Sequence, residues 1–411
     1  MGNIPPSFSP QKHYTDSLSF VLLATMLVQT LSTMGLMALA FMAPLVAADL
    51  GVPAWIVGLQ VGFIYLWAML ASPLSGVLAA RWGPAKASQY ALVGVALGCL
   101  LCASGILWLI VLGSAIAGVF YSLSNPAAAI ILNSHAPAHA RNIIFALKQS
   151  GVPVGWAFAG LILPALAVTY GWQSGLIGIS IAMLAVAVMI QPARRTWRPD
   201  IDASSAVLQF RSYFRIGFDG DFTMLALALA GFLYSATQIT VATYQVTALV
   251  EGAGWSLVAA GVALAVMQIC GAIGRVLLAG IADYFSMGTM ILCLTGAATA
   301  ATLLLSGLLM TSASVVLVLA SIGLLGFFSV SWNGTLIAQM ARLSPPGRVG
   351  TMTSRLMIYY YSGAVAGPWI FSLIYNQVHS YSLTYVLLGV LPLVGAISIL
   401  MAYLGDRRAA Q

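Results

Sequence analysis

The chain has 411 residues, of which 61% are hydrophobic and only 6% charged, with a mean hydropathy of +0.99. A water-soluble domain carries about 25% charged residues, so this composition excludes a soluble globular protein and indicates a membrane protein. The formal charge of +7 comes from cations in short polar segments; it reports orientation in a bilayer and not a nucleic-acid partner.

In hydrocarbon every backbone N–H and C=O must be paired inside the protein, which leaves helices or closed barrels. Barrel strands alternate apolar and polar residues, whereas the apolar runs here last about twenty residues, the length of one helical crossing. The expectation is therefore an all-α integral membrane protein. Twelve spans are expected near 18–47, 55–79, 87–107, 109–133, 143–168, 173–191, 222–249, 255–282, 288–308, 313–340, 350–377 and 381–404. The first sixteen residues are polar and the run behind them is too long for a signal peptide, so no cleaved leader is expected.

Taken in order, the first span carries Gln29, and Gly76-Val-Leu-Ala-Ala-Arg81-Trp-Gly-Pro-Ala-Lys86 follows the second. The third holds Cys99 and Cys102; like Cys270 and Cys293 they lie in apolar runs without His or acidic companions, so packing is expected and no metal or cofactor. The fourth carries Asn125, and the fifth Lys148 and Gln149 followed by Gly151-x3-Gly155. A polar stretch from 192 to 221 holds five arginines and four aspartates. It divides the chain into a bundle at 1–191 and a bundle at 222–411. The seventh span carries Gln238, Tyr244 and Gln245, the eighth Gln268 and Arg275 ahead of Asp283, the tenth Trp332 and Asn333. The eleventh carries Arg355, Tyr359, Tyr360 and Tyr361, then Gly363-x3-Gly367.

With the N-terminus inside, 13 of the 16 basic residues fall on one side and none on the other, whose charges are Asp49 and Glu251 with His379 nearby. The positive-inside rule makes the cationic side cytoplasmic, with both termini there. The halves also repeat. At an offset of 208, Gly118, Asn125 and Pro137 fall on Gly326, Asn333 and Pro345; a one-residue slip pairs Arg141, Lys148 and Gly160 with Arg348, Arg355 and Gly367. This is the pattern of two parallel repeats about an axis along the membrane normal.

Over nearly all its length the chain resembles the major facilitator superfamily. The family's loop signature, roughly Gly-x-Leu-Ala-Asp-Arg-x-Gly-Arg-Arg, is similar to the segment 76–86, with Ala80 in place of the acid; its echo is Ala279-Gly-Ile-Ala-Asp283. The resemblance implies two pseudo-symmetric six-helix bundles. It also implies a cytoplasmic gate in which the acid locks against the start of the eleventh helix, a role carried to Asp283, with Arg81 as the basic member of the first copy. Lys148-Gln-Ser-Gly-Val-Pro-Val-Gly155, Ser331-Trp-Asn-Gly and Ser344-Pro-Pro-Gly-Arg-Val-Gly350 resemble bacterial cyanate-permease-like carriers. Gly274-Arg275 with Gly280 and Asp283 is similar to the eighth helix of oxalate/formate and monocarboxylate carriers, where an arginine binds the substrate carboxylate.

Three cations remain inside spans: Lys148, Arg275 and Arg355. Each costs about 2.5–3.5 kcal/mol at a helix centre, and none has an acid nearby in sequence. Counted from the loop charges, all three are expected roughly 10–12 Å inside the cationic helix ends. Cations at one depth without counter-charges favour an anion, and arginine adds a fork that grips a carboxylate. Snorkelling toward the interface is the competing role for each. Gln29, Asn125, Gln238, Gln268 and Asn333 are candidate polar contacts, with helix-to-helix hydrogen bonding as their alternative. Trp332 and one or two of Tyr359, Tyr360 and Tyr361 are candidates for a wall or an orienting hydroxyl, with core packing as the alternative. The acids and histidines lie in loops or at helix ends, so no proton relay is expected, and no helix sets a base beside a nucleophile as an enzyme would need. The expected function is uptake of an organic anion across a bacterial inner membrane by alternating access, by a monomeric, multi-pass carrier with Arg275 as main contact. Export of lipophilic drugs, or import of a larger amphipathic acid such as a siderophore, are the rivals.

Overall fold

The computed structural model describes residues 17–137, 141–197, 221–285, 287–344 and 349–409. Five of the loop cations, Lys12, Arg198, Arg211, Arg215 and Arg348, and most of the 192–221 stretch lie outside the described residues, as does Pro345. No strand occurs among the described residues. Among the described residues, eleven helices are long and apolar enough to cross a membrane: α1 Leu18–Phe41, α2 Ala54–Trp82, α3 Pro84–Cys102, α4 Leu107–His135, α5 Leu147–Tyr170, α6 Trp172–Met189, α7 Phe222–Gly252, α8 Leu257–Tyr284, α9 Gly288–Leu309, α10 Val315–Leu343 and α12 Tyr381–Gly405. The remaining rod, α11 Val349–Val378, has 30 residues; Arg355, three tyrosines and Pro368 dilute its apolar character. These are the twelve spans expected from the sequence.

Chain reversals are short because the sequence supplies residues that tolerate them. Gly83 between α2 and α3 and Gly171 between α5 and α6 have φ of +84° and +82°, a region glycine enters without a Cβ clash. Side-chain caps occur where helices start at the surface: Asp221 accepts from the Met224 amide at 2.9 Å, and Ser256 from that of Ala259 at 3.2 Å. At the end opposite the cations, Asp49 accepts from the Trp172 indole at 3.0 Å and Glu251 from the Tyr381 hydroxyl at 2.6 Å.

The repeat extends to single backbone hydrogen bonds. In α4, Ser122 N–H donates to Gly118 and Leu123 N–H to Phe120; in α10, 208 residues later, Val330 donates to Gly326 and Ser331 to Phe328. Both helices are broken there by one tightened turn. The glycines correspond too, since a Cβ on Gly118 would overlap the Ile64 carbonyl of α2, and one on Gly326 the Met267 carbonyl of α8. The slipped pairing of Gly160 with Gly367 does not hold. Gly151 and Gly155 press on α1, where added Cβ atoms would stand 3.0 Å from Met26 O and 2.5 Å from Thr30 O. Gly363 and Gly367 press in the same way on Phe232 and Ala236 of α7, while Gly160 meets Gly261 of α8.

α1 and α7 are the most enclosed spans and pack on each other; α2 against both α11 and α7, and α5 against α8, add to the contact between halves. α6, α9 and α12 are among the least enclosed spans, whereas α3, which packs on α1, α4 and α6, is more enclosed than they are.

Candidate functional site

Lys148 is buried, with 3% of its surface exposed, and its ammonium meets three amide oxygens: Gln29 Oε1 of α1 at 2.8 Å, Asn125 Oδ1 of α4 at 2.5 Å and Gln149 Oε1 at 3.1 Å. An ammonium has three hydrogens, so the three acceptors saturate it without neutralising it. The Gln29 amide in turn donates to Tyr121 Oη at 3.0 Å.

Arg275 of α8 is equally enclosed, with 9% exposed. Its Nε and one terminal nitrogen donate to Val330 O at 3.3 and 3.1 Å, and the other terminal nitrogen donates to Gln149 O at 3.1 Å. Val330 lies at the broken turn of α10, which leaves its carbonyl open to a side chain. Gln149 therefore touches both cations, Lys148 through its side chain and Arg275 through its backbone, and joins the two halves at this level. Neither cation meets a carboxylate among the described residues; the ion pair described is Arg342–Asp283. Neither snorkels, since both heads are held by oxygens inside the protein.

Arg355 is also buried but does not share that level. It precedes Gly363 by eight residues, whereas Lys148 precedes Gly151, the equivalent glycine, by three. Five residues at about 1.5 Å each place the Arg355 backbone roughly 7.5 Å nearer the cationic end, beside Leu356, which packs with Leu227 and Leu336. The expectation of one common depth is corrected to two cations at one level and a third beyond it. In the glycine frame the residue matching Lys148 is Tyr360. Its ring lies 5.8 Å from Trp332 and 5.3 Å from Tyr361.

Trp332 is fully buried between Tyr360 and Tyr234, 5.8 Å from each ring, inside the second bundle's own cluster with Leu292 and Leu336. Tyr359, Tyr361 and Asn333 are half-buried. Gln238 and Gln268 are buried; Gln238 Oε1 and both amide atoms of Gln268 have no hydrogen-bond partner.

Asp283 pairs with Arg342 at the end of α10 at 2.8 Å; of the expected lock against the start of the eleventh helix, residues 345–348 lie outside the described residues. Arg81 is exposed and borders a cleft of about 270 Å3 with Trp82, Lys86, Arg194 and Trp197. It belongs to the other half and is not joined to Asp283.

The seal between halves lies at the opposite end. Tyr244 of α7 stacks on Phe371 at 4.1 Å and donates to Trp55 O at 3.1 Å and Pro368 O at 3.3 Å. Gly58 faces that ring with no room for a Cβ, and Gly62 admits the Val365 carbonyl of α11. Sequence reading named Tyr244 but not its tie across the halves, and it missed Tyr121 and the Gln149 carbonyl. A backbone acceptor leaves no mark in a sequence, so only the fold reveals it.

The sequence profile of the Major Facilitator Superfamily matches residues 25–368. An uncharacterized MFS-type transporter of Mycobacterium tuberculosis is 26% identical over 279 residues, 66% of this chain and 59% of that protein, so the match spans about three fifths of that relative's length. Among solved structures, a bacterial homolog of the human lysosomal transporter Spinster, inward-facing and occupied, superposes with a TM-score of 0.72 at 14% identity over 97% of this chain and 98% of its own. A POT family transporter in complex with 5-aminolevulinic acid gives 0.75 at 13% identity, covering 93% and 95%. At such identities the likeness is one of fold, and the match along the sequence supplies the family. The chain belongs to the major facilitator superfamily.

Proposed function

We propose that this chain is a secondary carrier that moves a small carboxylate-bearing organic anion across a bacterial inner membrane by alternating access, with 1–191 and 222–411 as the rocking bundles. The observation that carries the reading is the Gln149 bridge: two buried cations from opposite halves converge on one residue and are satisfied only by neutral oxygens. An entering carboxylate would replace carbonyl acceptors by charged ones, and charge-assisted hydrogen bonds are about twice as strong as neutral ones. Arg275 offers the fork for two parallel bonds and Lys148 the second charge. With the cation-rich end taken as cytoplasmic, the Tyr244 seal faces the periplasm. The half-buried Asn125, Asn333 and Tyr359 then lie on the cytoplasmic approach.

Closure around the anion would join the halves through the substrate, which is what couples binding to rocking in this reading. The ring cluster of Tyr234, Trp332, Tyr360 and Tyr361 favours, as a second reading, a larger amphipathic acid at the same cations. The test is a thermal-shift screen of purified protein against small anions, since a ligand raises apparent stability by mass action, followed by proteoliposome uptake of the best binder. Arg275→Ala is expected to lower uptake at least tenfold; undiminished uptake removes the site.

A further inference from the structure

α5 and α8 run antiparallel and are pinned to each other at two points. One is the bond from Arg275 to Gln149 O. The other is the Gly160–Gly261 contact, where a Cβ on Gly160 would stand 2.8 Å from Gly261 O and 3.2 Å from Leu264. Between these points each helix presents one large polar side chain. Trp156 lies seven residues beyond Gln149 on α5, and Gln268 lies seven residues beyond Arg275 on α8, counted away from the cationic end. Seven residues are two turns less about 20° and rise about 10 Å. The two side chains thus stand at one level of the α5–α8 seam, on the helix faces that carry Gln149 and Arg275.

Both are sealed from solvent, Trp156 with 1% and Gln268 with 0% of its surface exposed. Yet the Trp156 indole N–H and both the oxygen and nitrogen of the Gln268 amide have no hydrogen-bond partner. Buried polar groups are nearly always paired, and each unpaired one costs about 1–3 kcal/mol. A seam of leucines would pack there without that cost. Two donor groups and one acceptor left open at a single level form the complement of a ligand group that both accepts and donates. The level carries no charge, so a second carboxylate or an ammonium would be stranded on it.

We propose that Trp156 and Gln268 form a second subsite, about 10 Å beyond the Arg275–Lys148 level, which binds an uncharged hydrogen-bonding group such as a hydroxyl or amide at the far end of the transported anion. This rests on the anion reading of Arg275 and Lys148 and deepens it: the substrate class becomes a monocarboxylate long enough to reach the seam and polar at both ends. Short aliphatic acids and dicarboxylates fall outside it.

The test compares cinnamate with 4-hydroxycinnamate, which differ by one distal hydroxyl, as ligands of the purified full chain at pH 7. Wild-type protein is expected to bind the hydroxylated acid about tenfold more tightly, the equivalent of one good buried hydrogen bond. Gln268→Leu and Trp156→Phe should each cut that ratio below about twofold while cinnamate affinity holds. Gln268→Leu should also leave the ligand-free melting temperature unchanged or raised, because an unpaired amide is replaced by an apolar group of similar size. If that variant fails to fold, Gln268→Met and Trp156→Phe carry the comparison. Equal affinities in wild type, or a ratio that survives both substitutions, overturns the subsite and leaves the anion reading standing. Binding of neither acid overturns the length and polarity assigned to the substrate, and the small-anion screen then decides the Arg275 level separately.

Discussion

Gly261→Ala is the sharpest probe of how the two halves close. A Cβ at Gly261 would overlap the Gly160 carbonyl and lie 2.7 Å from Pro164 Cγ, where carbon atoms rest at about 3.5–4.0 Å. Relief requires α5 and α8 to separate by roughly 1 Å at the end opposite the cations. Both near atoms belong to backbone or a proline ring, so no side-chain rotation can absorb the clash. Overpacking of this kind costs about 1–3 kcal/mol. If this end opens during transport, the strain falls on the closed arrangement alone, and the opened state gains about 5- to 150-fold in relative population. The assay is the rate of maleimide labelling of a cysteine placed at Val57, 7% exposed on the sealed end of α2, in a protein whose four native cysteines are replaced. Labelling should accelerate by that factor in Gly261→Ala. Gly280→Ala, on the same helix with nothing within 4 Å of the added atom, should leave the rate unchanged. Equal rates in the two variants would refute both the packing argument and the inference that this seam opens.

Other expectations follow from single contacts. Tyr244→Phe removes the hydroxyl that ties α7 to Trp55 and Pro368; at about 0.6–1.7 kcal/mol for hydrogen bonds in membrane proteins, labelling at position 57 should rise several-fold with the fold intact by circular dichroism. Lys148→Met leaves Gln29, Asn125 and Gln149 without their shared donor and should lower anion uptake at least tenfold, whereas Arg355→Met, farther from the bridge, should lower it less. Asp283→Asn breaks the exposed pair with Arg342, whose side chains are 70% and 48% accessible. Exposed pairs contribute less than about 1 kcal/mol, so the melting temperature should move by no more than a degree or two.

Much of the architecture is written in local composition. Twenty-residue apolar runs dictate spans because unpaired backbone is intolerable in hydrocarbon, and the twelve expected segments are the twelve rods. The 208-residue offset of Gly118 and Asn125 already encodes the repeat, down to the matched broken turns at Ser122 and Val330. Even α11 is marked in advance, since Arg355 and three tyrosines in a span are too costly to face lipid. The cations themselves are legible for the same reason.

What the sequence cannot hold is the relation between helices distant in order. Counting residues from loop charges puts Lys148, Arg275 and Arg355 at one depth. The packing of Gly155 on Thr30 and of Gly367 on Ala236 sets a different register, which aligns Lys148 with Tyr360 and moves Arg355 toward the surface. That Asp283 meets Arg342 is likewise a matter of packing: which groups meet depends on helix rotation and offset, fixed by close contacts tens of residues away. Composition determined that this chain spans a bilayer twelve times and carries cations inside. Only the tertiary structure decided that two of those cations meet at Gln149, because a backbone carbonyl becomes a partner only when another helix brings a donor to it.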